Sequence, residues 1–135
     1  MIGKTFLGEI ELSNDSTTQC YFQRFHLLPN IEVIEKLAEE FAGHIEIMPY
    51  QREGEKVKLL LSVYLESDAR KGKIIAVLLR EDYPENLGSL VRFVERGMTR
   101  LSKLVSVGSE FNEKSLNNSL LQLTRLCEKL RQSNK

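Results

Sequence analysis

Lys73-Ile74-Ile75-Ala76-Val77-Leu78-Leu79-Arg80 carries six consecutive apolar residues between basic ones, and the way this stretch is buried decides the fold. It is too short for a core helix and rich in β-branched side chains, so it reads as a strand. A strand with apolar side chains on both faces needs cover on both, which predicts the centre of a sheet with helices in front and behind.

Working outward, Lys56 to Glu66 alternates, with Val57, Leu59, Leu61, Val63 and Leu65 on one face, and the polar turn from Ser67 to Gly72 joins it to the central strand. His44 to Tyr50 sets Ile45 and Ile47 together before Pro49, which lacks an amide donor and marks a short strand at an edge or a strand end. Nearer the N-terminus, Lys4 to Leu12 places Phe6, Gly8, Ile10 and Leu12 on one side ahead of a polar loop from Ser13 to Thr17. A second strand, Gln19 to Leu27, has the polar pair Gln23-Arg24 at its middle and is predicted at an edge.

Three segments carry helical spacing. Asn30 is the N-cap candidate of the first, whose stripe is Ile31, Ile34, Leu37, Ala38, Phe41 and Ala42, with Gly43 as its stop. The second is expected to open at Asp82-Tyr83-Pro84, proline being pre-set for a first helical position, and to bury Leu87, Leu90, Val91, Val94, Met98, Leu101, Leu104 and Val105. After a linker from Ser106 to Phe111, the third places Leu116, Leu120, Leu123, Cys127 and Leu130 on one face. One domain spanning 1–130 is expected, with 131–135 a frayed tail.

Nineteen acidic and nineteen basic side chains balance, so no long-range field gathers nucleic acid or anionic lipid. No apolar run reaches the ~18 residues of a membrane span, and the first residues lack a signal peptide's apolar region. The expected location is cytoplasmic, with membrane contact at most peripheral or through a partner. Cys20 and Cys127 stand far apart and read as buried free thiols.

The predicted order is β-β-α-β-β-β-α-α in an α+β domain. Together with Val77-Leu78-Leu79-Arg80-Glu81-Asp82-Tyr83-Pro84, in which an apolar strand runs into an acidic residue, a Tyr-Pro pair and an apolar helix, that order resembles the longin domains of membrane traffic. Asn86 and Ser89 depart from the basic and aromatic residues the family often has there. The resemblance implies a free-standing longin-like fold: a five-stranded antiparallel sheet, edge strands two and three at its margins, one helix on one face and two on the other. It also implies a scaffold or adaptor role in traffic or small-GTPase assemblies. The implied partner is a small GTPase or another longin or roadblock-type domain, with a homo-oligomer as a further option.

Chemistry-bearing residues are sparse. His26 and His44 are the only histidines and read as surface or structural groups; no metal-ligand spacing, nucleotide-binding glycine motif or catalytic constellation emerges, so neither an enzyme nor a cofactor is expected. Gly88 and Gly97 fall inside the second helix, where glycine costs ~1 kcal/mol against alanine, and close helix packing is the expected compensation. The candidate partner-binding surface joins Glu35 and Glu39 of the first helix to Glu46 and Met48 of the third strand, an edge able to accept an extended segment. Asp82, Tyr83 and Pro84 are the family-motif residues, although helix-start physics alone accounts for them. The competing class is a PAS- or profilin-like small-ligand sensor, which needs a polar-lined cavity where this sheet is filled by Leu, Ile and Val.

Overall fold

A computed structural model describes residues 4–7, 10–13, 25–67, 72–106 and 110–133. The elements in chain order are β1 (Lys4–Leu7), β2 (Ile10–Ser13), α1 (Ile31–Glu40), β3 (Ile45–Tyr50), β4 (Lys58–Glu66), β5 (Lys73–Asp82), α2 (Leu87–Ser106) and α3 (Glu113–Ser133). The class is α+β, but the expected longin layout does not hold.

Its strands differ first. β3, β4 and β5 form the three-stranded antiparallel body on which the helices pack. The stretch expected as one first strand is instead two short ones, antiparallel with Leu7 opposite Ile10, and β2 continues the sheet by pairing with β5. The sheet order β1-β2-β5-β4-β3 puts β3, the strand ending at Pro49-Tyr50, at one margin, and β1 at the other in place of the expected second strand. In the register of β1 and β2, Phe6 pairs with Glu11 and Thr5 with Leu12, so even positions of β1 stand beside odd positions of β2, which a single alternating series does not anticipate. Of the expected strand Gln19 to Leu27, residues 19–24 lie outside the described residues, while His26 and Leu27 form a turn in which the Leu28 amide donates to the Phe25 carbonyl at 3.0 Å. Cys20 and much of the expected loops at 13–17, 67–72 and 106–111 also fall outside.

The layers differ too. Residues paired directly across antiparallel strands share a face, so Ile45, Ile47, Leu59, Leu61, Val63, Leu65, Ile74, Ala76 and Leu79 lie on one side. All of them belong to one buried cluster that also contains Ile34 and Leu37 of α1, Leu90, Val94 and Leu101 of α2, and Leu123, Leu126 and Leu130 of α3. Each such side chain contributes roughly 1.5–3 kcal/mol on burial. The Lys129 ammonium lies 2.9 Å from the Glu40 carboxylate, tying α3 to α1. All three helices therefore cover the same face, against the expected split of one and two.

The apolar run in β5 has another cause than a double cover. The register shifts between Leu61 and Ser62: Leu61 stands opposite Leu79 and Ser62 opposite Val77, leaving Leu78 as the extra residue of a bulge. Leu78 and Leu79 are both buried in the helix-side cluster as a result. The Arg100 guanidinium, reaching from α2, donates to the Leu78 carbonyl at 3.0 Å, supplying a partner where the ladder is interrupted.

Helix termini follow local chemistry. Asn30 precedes α1 in the left-handed region at φ 59°, which asparagine tolerates, and its side chain makes no cap bond; its carbonyl accepts from Val33 and Ile34 at 3.1 and 3.2 Å. Gly43, at φ 88°, lies in the reversal between α1 and β3, and the Ile45 amide donates back to Phe41 at 3.0 Å. α2 starts at Leu87 and not at Pro84, because the Asn86 side chain accepts from the Ser89 amide at 2.8 Å and caps the helix. α3 continues to Ser133, past the expected end, and Arg131 is held 2.6 Å from Glu95 of α2.

Gly97 explains how closely α2 approaches the sheet. A β-carbon there would stand 2.5 Å from Leu61 Cδ2, so only glycine fits over that leucine as it is placed. Gly88 has no comparable constraint, since its β-carbon would meet only the Asn86 carboxamide at 3.4 Å.

Candidate interaction surface

The opposite face of β3, β4 and β5 carries Glu46, Met48 and Tyr50; Lys58, Leu60, Ser62, Tyr64 and Glu66; and Lys73, Ile75, Val77, Arg80 and Asp82, in rows fixed by the registers. Among the described residues only the start of α3 borders it, where Lys114, Ser115 and Asn118 line a shallow pocket with Tyr64, Glu66 and Lys73, and none of the face's side chains belongs to the helix-side cluster. Met48, Tyr50, Leu60, Tyr64 and Val77 are half-buried, Glu66, Lys73 and Asp82 are exposed, and Ser62 and Ile75 are buried.

Polar groups here engage one another in pairs. The Tyr64 hydroxyl donates to the Glu46 carboxylate, and burial, followed by that neighbouring negative charge, pushes the phenol well above its ordinary range. Arg80 sits 5.9 Å from the Tyr50 ring centroid, within cation–π range. The Lys58 ammonium lies 3.4 Å from Asp82. The Ser62 Oγ is buried with no hydrogen-bond partner among the described residues. Such a hydroxyl costs about 1–3 kcal/mol.

Of the expected binding residues, Glu46 and Met48 share this face. Glu35 and Glu39 are exposed on α1, within the layer on the other side of the sheet, so the four are not brought together. The sequence reading missed Leu60, Val77, Tyr50 and Arg80. The signal for the first two was present as apolar residues out of phase with the inward set of their strands.

Asp82, Tyr83 and Pro84 serve as a brace between segments. The Tyr83 amide donates to the Val57 carbonyl at 3.0 Å and its hydroxyl to the Pro29 carbonyl at 2.6 Å, joining the exit of β5 to the entry of α1. Burial pushes the Tyr83 phenol up to about 12. Asp82 is exposed beside Lys58, and Pro84 is half-buried ahead of α2.

Elsewhere, His26 and His44 are exposed. Cys127 is a buried free thiol between α2 and α3, donating to the Met98 sulfur at 3.7 Å, and burial pushes its pKa up to about 11. Among the described residues, no three His, Cys, Asp or Glu gather as a metal site, and no helix is long and apolar enough to cross a membrane. No protein-family model matches the chain, and neither a curated protein nor a solved structure matches it significantly.

Proposed function

We propose that the protein is a non-catalytic protein-binding module that takes a partner on the helix-free face of its sheet, around Met48, Leu60 and Val77. The observation that carries this reading is the asymmetry of cover: three helices seal one face, while the other keeps half-exposed apolar and aromatic side chains inside a charged border. Contiguous apolar surface with a polar rim is the usual anatomy of a docking site. Paired groups such as Glu46 with Tyr64 and Arg80 over Tyr50 suit recognition, because they hold side chains in place before a partner arrives. The narrower expectation of a traffic or small-GTPase assembly leaned on the longin layout and is not carried forward.

Cross-linking with affinity capture tests the reading, comparing wild type with Met48→Glu and Leu60→Glu. Both substitutions are expected to abolish capture while leaving the melting temperature within a few degrees, whereas Glu35→Lys with Glu39→Lys, on the far side of the sheet, retains it. Capture that survives both sheet substitutions overturns the proposal.

A further inference from the structure

We infer that the occupant of this face is a second copy of the chain, packed sheet against sheet about a two-fold axis crossing the strands at Ser62. The inference rests on the reading of the face as a docking surface. In a two-fold interface a surface must be complementary to itself. Along β4 the face runs Lys58, Leu60, Ser62, Tyr64, Glu66, with Ser62 at the midpoint, and β5 places Asp82 beside Lys58 and Lys73 beside Glu66. The charges at the two ends are thus arranged in opposite senses.

An axis through Ser62 and across the strands turns one end onto the other. Lys58 then meets Glu66 of the second copy, and Asp82 meets its Lys73. The alternative axis, parallel to β4, would lay Lys58 over Lys58 and Glu66 over Glu66, so electrostatics selects between the two. Aligned sheets cross at about 30°, and the flexible lysine stems can absorb the resulting offset. Three of the four corner residues, Glu66, Lys73 and Asp82, are exposed and Lys58 is partly so, leaving them accessible for pairing. Two pairings oppose association: Glu46 falls opposite its own symmetry mate, and Arg80 falls opposite Ile75 of the second copy.

Sedimentation of the full chain over a range of concentrations, with circular dichroism melts as a folding control, tests the inference. Wild type is expected to dimerise. Lys58→Glu or Glu66→Lys alone should weaken the dimer by about tenfold or more at low salt, and the double variant should restore it. Restoration cannot arise within one copy, where the double variant sets an acid at position 58 beside Asp82 and a base at position 66 beside Lys73. Glu46→Gln should tighten the dimer several-fold. A chain that stays monomeric, or a dimer that neither single variant weakens or that the double variant fails to restore, overturns the inference. If the chain is monomeric yet Met48→Glu abolishes capture of a different protein, the docking surface stands and only its occupant is wrong.

Discussion

Leu60 and Leu61 are neighbours in β4 with opposite surroundings. Leu61 is fully buried beneath α2, with Gly97 against it; Leu60 faces the side without helices and is half-buried. Residue type is identical and chain position differs by one, so the contrast isolates what the helical layer does. On one side the sheet is a packed interior, and on the other the same backbone presents half-buried apolar and aromatic side chains among charged ones.

The largest expected effect breaks or upholds that contrast directly. Leu61→Ala should cost about 2–5 kcal/mol, the range for a cavity in a well-packed core, whereas Leu60→Ala should cost less than about 1 kcal/mol in a dilute sample. Urea denaturation measures both, and equal losses would mean that the two faces are equally packed.

Cys127 sharpens the account of the covered side through pH. Its thiol is neutral in folded and unfolded chains below the ordinary value of 9.0, and burial raises the folded value to about 11. As pH climbs through that window the unfolded chain ionises first, so stability present at lower pH is lost. Wild type should lose roughly 2–3 kcal/mol more than Cys127→Ala between pH 8 and pH 11, read from denaturation midpoints at each pH. Parallel pH curves for the two proteins would contradict the burial of the thiol.

The smallest effect is expected on the open side. Ser62 has a buried hydroxyl with no partner among the described residues, so Ser62→Ala should stabilise the folded chain by about 1 kcal/mol in thermal melts at low concentration. A loss of stability would show that the hydroxyl is satisfied.

Much of this asymmetry lay beyond the sequence. Alternation in β4 located Leu59, Leu61, Val63 and Leu65 on one face, and three-and-four spacing located most of what α1, α2 and α3 bury, though it left out Phe93 and Leu126 and included the exposed Ala42. Which face a helix covers is a non-local matter. The run from Ile74 to Leu79 looked sandwiched because a bulge turns two successive leucines inward, while Ile75 and Val77 point to the face without helices. One extra residue in a ladder leaves no mark in apolar periodicity. The candidate site met the same limit: the edge strand sets Glu46 and Met48 side by side on one face, but the sheet separates them from Glu35 and Glu39. The start of α2 was legible at Asn86, although Pro84 just ahead of it offered a competing start and masked it.

The notch at Gly97 has a consequence for how this sequence can drift. Because Leu61 Cδ2 occupies the space a larger residue 97 would need, the two positions behave as one choice made twice. A chain with alanine at 97 needs the Leu61 side chain to shift or shrink. Divergent sequences sharing this architecture should therefore exchange volume between these two sites in step.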